Sequence, residues 1–214
     1  MRRPSATPEN YLILAAVTWV SVSFLGMIAT DAGVYGGQRI IEALGFVVLM
    51  VIFPDEQSGA WSWTRVLFSL IIVVGFVSGW VIAYALPYVA GFVFPVPVEL
   101  RLRDVVAGFL ATGLIAPLFE EKLTRHLALR GTMGVLHPAI TRYISPGLAA
   151  SLIVSTIFAL AHPKLIIFSF VFSLILCLLC LKYQFGLLQR VFVHGLYNST
   201  VMAWYLTHGF GFFH

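Results

Sequence analysis

Glu120 and Glu121 stand side by side after an uncharged run, Val105 to Phe119, in a chain where only 10% of residues are charged. An ion facing hydrocarbon costs several kcal/mol, about 2.5 to 3.5 on insertion scales, so such residues usually face a bundle interior or a wet cavity. A carboxylate held in an apolar pocket gains basicity by desolvation and becomes able to take a proton from water. Arg125 follows Glu121 by four residues and shares its helix face, whereas Glu120 points roughly 100° away. One carboxylate is therefore free to act while the other pairs with the arginine. The plainer alternative is a helix end reaching water with an ordinary surface ion pair. Against it, His126-Leu127-Ala128-Leu129 carries the helix on to Arg130 and leaves Glu120 about 15 Å inside that end.

Two further clusters have the same one-turn spacing. Phe158 and His162 lie four apart and are followed by Pro163. A lone histidine at the end of such a segment is more often a capping or interface residue than a catalytic one, and Pro163 serves to end a helix. His194 and Asn198 stand within the last apolar segment, His194 about 12 Å past Gly186. At that depth both need hydrogen-bond partners, which either a polar site or side-chain bonding between helices provides.

The elements that must position these residues are membrane helices. The chain has 214 residues, 60% of them hydrophobic, and a mean hydropathy of +0.95, well above the usage of soluble domains. About seven segments are long and apolar enough to cross a ~30 Å hydrocarbon core. They are Tyr11–Thr30, Gln38–Pro54, Thr64–Tyr84, Asp104–Leu129, Gly147–His162, Lys164–Leu181 and Gly186–Thr207. The expected fold is all-α, a single integral membrane domain over residues 1–214, with generic membrane helices in 1–103 and the motifs in 104–207. Pro87, Pro95 and Pro97 mark a loop.

Arg2 and Arg3 precede the first segment without a typical signal-peptide cleavage site, so that segment reads as a retained helix. With the N-terminus inside, Lys122, Arg130, Arg142, Lys182 and Arg190 fall at cytoplasmic ends. Arg39, Arg101, Arg103 and Lys164 fall on the other side. The pI near 9.3 is explained by this topology more simply than by nucleic acid. Cys177 and Cys180 form a C-x-x-C inside an apolar segment, where buried thiols are usually inert. Gly75 and Gly79 permit a close helix approach.

The ordered set E-E-x-x-x-R (Glu120, Glu121, Arg125), F-x-x-x-H (Phe158, His162) and H-x-x-x-N (His194, Asn198), each on its own apolar segment, resembles the CPBP family of membrane proteases. That family includes the CAAX prenyl endopeptidases and bacteriocin-processing or immunity proteins. The resemblance covers Glu120 to Asn198 and implies a glutamic-type intramembrane endopeptidase acting on a membrane-associated peptide or protein. It implies that Glu120 activates a water with help from His162, that His194 and Asn198 stabilise the oxyanion, and that Glu121, Arg125 and Phe158 support the site. No cofactor is expected. Zinc is the alternative, with Glu120, Glu121, His162 and His194 as donors, although H-E-x-x-H is missing and Arg125 adds positive charge. A non-catalytic scaffold or immunity protein and a proton-coupled transporter are the other function classes, the latter weakened by the lack of an inverted repeat. The expected home is a prokaryotic plasma membrane, with a cytoplasmic N-terminus. Helical rise poses one difficulty: His162 lies about 22 Å from Gly147, deeper than Glu120, so a shared site asks the fifth helix to begin deeper or to tilt.

Overall fold

The computed structural model describes residues 7–54, 59–85 and 101–207. The expected loop at Pro87, Pro95 and Pro97 lies outside them. Among the described residues seven principal helices form the bundle: α1 Pro8–Asp31, α2 Gly37–Ile52, α3 Trp63–Trp80, α4 Leu102–Val135, α6 Pro146–Leu160, α7 Ile166–Leu181 and α8 Leu187–Thr207, with a single turn, α5 Pro138–Thr141, between α4 and α6. Among the described residues no strand occurs. The all-α membrane bundle is as expected: α1, the α3 segment Trp63–Ala83 and α4 are each long and apolar enough to cross a bilayer, and α6 and α7 are shorter apolar helices.

Local chemistry sets the helix ends. Thr7, Ser62 and Ser145 accept backbone N–H bonds from the first turns of α1, α3 and α6, the arrangement that satisfies otherwise unpaired donors. Gly33 and Gly36 adopt φ of +77° and +68° in the α1–α2 turn, a conformation open to glycine. Pro163 ends α6 and opens a single 3-10 turn, Pro163–Leu165, before α7.

Cross-contacts give the helix directions. Tyr35 donates to Asp104 Oδ1 at 2.8 Å, which sets the α1–α2 turn beside the start of α4. Gly131 and Gly134 sit against Leu12 and Pro8, so the end of α4 meets the start of α1. Arg65 reaches the Gln184 carbonyl at 3.4 Å, joining the start of α3 to the α7–α8 turn. Between these ends α4 is shared by two apolar clusters. Phe119, Leu123 and Leu127 pack with Ala15, Val22 and Leu49, while Leu129 packs with Ala150, Val154 and Cys177. A third cluster of Trp80, Phe172, Leu176, Val193 and Tyr197 joins α3, α7 and α8.

The structure corrects three expectations. α4 continues to Val135 rather than Leu129, so Glu120 is about 22 Å from that end, close to the roughly 24 Å that separates His162 from Pro146. Both residues line one cavity, and α6 begins at Pro146, no deeper than expected. Lys122 and Arg190, expected at cytoplasmic ends, are buried at 0% and 1% exposure, because each has acceptors inside the bundle. Among the described residues nothing lies beside Gly75 and only the Phe168 ring meets Gly79, so no described backbone seats on the G-x-x-x-G pair. Cys177 and Cys180 are buried, free thiols.

Candidate active site

Pro117 determines how α4 meets α8. It has no N–H, and its ring crowds the carbonyl four residues earlier, that of Gly113. The helix widens into a π turn at Ala111–Ile115, in which the Ala116 N–H reaches back five residues to the Ala111 carbonyl. Ala116 is thus committed to Ala111 and Pro117 has nothing to donate, so the Thr112 carbonyl has no helical donor four or five residues on. α8 supplies one: Asn198 Nδ2 donates to Thr112 O at 3.1 Å. Nearby, Gly195 approaches so closely that a Cβ there would lie 2.0 Å from the Gly113 carbonyl oxygen. A buried carbonyl left unmet is costly, and here the break in one helix is mended by polar and small residues of another.

That contact brings His194 to the two glutamates. Its Nδ1 lies 3.0 Å from Glu121 Oε1 and its Nε2 3.6 Å from Glu120 Oε2. Glu121, with no exposed surface, is also held by Arg125 Nη1 at 3.4 Å and by Arg190 Nε at 3.3 Å. The i,i+4 pair of Glu121 and Arg125 is therefore as the spacing predicts, but as a buried pair and not a surface one. Arg125 is tied further by donating to Ser173 Oγ at 2.9 Å, and its guanidinium stands 5.0 Å from the Phe158 ring centre. A second wide turn, Lys122–Ala128, follows Glu121; along it Lys122, Arg125 and His126 are all buried. Lys122 donates from Nζ to the Phe53 carbonyl at the end of α2, where a cation complements the helix dipole.

Glu120 is differently placed. Its side chain is 22% exposed and, among the described residues, meets only the long His194 contact as an ion pair. It lines a cavity of about 170 Å³ together with His162, His194 and Asn198. The four expected site residues thus surround one space. His162 Nδ1 lies 2.8 Å from the Phe158 carbonyl; a carbonyl only accepts, so Nδ1 carries the hydrogen and the neutral ring keeps its lone pair on Nε2. The Phe158 and His162 rings stack at 4.5 Å between centres, tilted by 30°. A larger cavity of about 470 Å³, walled mostly by apolar side chains of α1, α4 and α6, shares Arg39, Glu120, Phe158 and His162 with the smaller one. Those four stand at the junction.

Two residues of the site escaped sequence reasoning. Arg190 is separated from Glu121 by 69 positions; its one legible sign was a charge four residues before His194, on the same face of the last helix. Arg39 is on the N-terminal half, where no motif drew attention to it. The donor set fits zinc poorly: among the described residues no three His, Cys, Asp or Glu side chains are grouped to hold one ion, and Glu121 is already engaged by two arginines and a histidine.

Residues 102–200 match the family described as "Type II CAAX prenyl endopeptidase Rce1-like". The match bears out the resemblance read from the three motifs and supports intramembrane endopeptidase activity in general terms. No curated protein and no solved structure matches the chain.

Proposed function

We propose, from the Rce1-like match over residues 102–200, that the protein is a glutamic-type intramembrane endopeptidase that cleaves a membrane-associated peptide with a water activated by Glu120. The observation that carries this reading is the half-buried Glu120 at the wall of a cavity it shares with His162, His194 and Asn198. Peptide-bond hydrolysis asks for a base, a proton donor to the leaving amine and donors for the developing oxyanion. Glu120 takes the proton of the attacking water. His162, with Nε2 free to accept, shares that proton and delivers it to the amine.

His194 and Asn198 stabilise the oxyanion. His194 has Nδ1 turned to Glu121 and Nε2 turned to the cavity wall at Glu120, where it faces the developing charge. Asn198 uses one Nδ2 hydrogen on Thr112 and keeps the other for substrate. Glu121, Arg125 and Arg190 hold His194 in place, and the chemistry needs no metal. The apolar cavity receives the membrane-embedded part of the substrate.

The test compares membranes carrying wild type with membranes carrying Glu120→Gln, matched for folded protein, and maps new peptide termini by mass spectrometry. Cleavages that vanish in the variant support the reading and identify the substrate class. A phenotype that persists with no Glu120-dependent cleavage would move the scaffold or immunity alternative ahead.

A further inference from the structure

Arg39 belongs to the first turn of α2, outside the segment that carries the Rce1-like match. It is the one lysine or arginine among the described residues lining the two cavities, and it lines both. Its Nη1 bonds Glu42 Oε2 at 2.6 Å. Glu42 is buried and also accepts from Gln38 Nε2 at 2.9 Å, so the carboxylate is a fixed anchor that orients the guanidinium. One edge of the Arg39 fork is thereby engaged, and the side chain remains 33% exposed. Guanidinium presents five donors in a plane that matches a carboxylate. A charged fork held at a cavity junction, beside the proposed base and the proposed proton donor, has the form of an anion subsite.

We propose that Arg39 is a specificity-determining residue that binds a carboxylate of the peptide fragment released with the new amine. This rests on the peptidase reading for the nature of the ligand. The chain-terminal carboxylate of any peptide belongs to the fragment whose new amine His162 would protonate, and His162 and Arg39 share both cavity walls. An acidic side chain in that fragment offers the same chemistry from a second source.

The test uses the full chain in lipid nanodiscs carrying Glu120→Gln, so that binding is read without turnover. The probes are dansylated Leu-Val-Leu with a free carboxylate, the same peptide as its carboxamide, and dansylated Leu-Val-Asp as its carboxamide. Fluorescence titration is expected to give at least tenfold tighter binding of the free carboxylate than of its amide. Adding Arg39→Gln brings that ratio close to one, and Arg39→Lys, which keeps the charge without the fork, retains an intermediate ratio. If the aspartyl amide binds as tightly as the free carboxylate, the subsite accepts either source; if it binds like the leucyl amide, the chain terminus is what is read. A ratio near one without any Arg39 substitution, or a ratio that survives in both folded Arg39 variants, overturns the proposal. Failure of the peptidase reading registers separately, as the lack of Glu120-dependent cleavage in wild-type membranes.

Discussion

Arg190 Nε meets Glu121 Oε2 at 3.3 Å in a part of the bundle where neither side chain exceeds 1% exposure. The pair joins the last helix to α4 across 69 positions of sequence. It also fixes the carboxylate that holds His194, so helix packing and the orientation of a site residue depend on one contact. Removing one partner of a buried pair leaves an uncompensated charge and typically costs about 3 to 5 kcal/mol.

Arg190→Leu is therefore expected to lower thermal stability in detergent strongly, by an amount of that order, together with activity. Glu121→Gln is expected to do the same, since it strands two guanidinium groups. A differential-scanning measurement that finds either variant as stable as wild type would remove the structural role assigned to the pair.

Glu120→Gln has the opposite profile. Glu120 is partly exposed and its ion-pair contact with His194 is long, so a neutral isostere is expected to leave the melting temperature nearly unchanged. Activity is expected to fall by at least about 100-fold, comparable to losing a major catalytic group. Equal losses of stability and activity would reassign Glu120 to the structural network.

The bond of Asn198 to Thr112 is separable from its proposed oxyanion role. Asn198→Ala leaves the Thr112 carbonyl without its donor, a loss of about 1 to 3 kcal/mol, in addition to any catalytic defect. Pro117→Ala restores an N–H to α4 and allows the π turn to close, giving Thr112 a helical donor. In a double-mutant cycle on stability, the Asn198→Ala cost is expected to shrink when Pro117 is already Ala. Strict additivity would show that the widened turn and the Asn198 bond are unrelated.

Gly195→Ala tests the close approach of the two helices. The added Cβ would meet the Gly113 carbonyl oxygen at 2.0 Å, and backbone has little room to yield. An overpacking cost of about 1 to 3 kcal/mol or more is expected. Gly75→Ala, with no described residue near its Cβ, is expected to be nearly neutral in the same unfolding assay.

Prolonged dialysis against a strong chelator is expected to leave Glu120-dependent cleavage intact. Loss of activity on chelation, restored by one equivalent of zinc, would overturn the metal-free mechanism.

Much of the site was legible because its pairs repeat at helical spacing. Glu121 with Arg125, Phe158 with His162, and His194 with Asn198 are each one turn apart, and a helix brings such residues to one face whatever surrounds it. The helices were legible for a similarly local reason, since a long apolar run is itself the signal; among the described residues three of them are long and apolar enough to cross a bilayer. Their ends were less so: α4 runs past Arg130 to Val135, with Gly131 and Thr132 buried and Met133 packed on the Leu129 cluster, where sequence reading anticipated water.

Only the tertiary structure decided which charges are interior. Lys122 and Arg190 have the composition of loop residues, and whether such a side chain reaches water or a buried acceptor depends on helices distant in sequence. The Phe53 carbonyl at the end of α2 and the Glu121 carboxylate on α4 supply those acceptors. The same holds for Arg39, which becomes part of the site because α2 packs beside α4, and for Thr112, whose carbonyl is exposed by Pro117 and met by Asn198. The sequence by itself determined the membrane class, the approximate spans and the three motifs, all consequences of local periodicity. Their common cavity and their buried counter-charges were decided by helix packing, since burial and charge pairing depend on residues that only the folded bundle brings together.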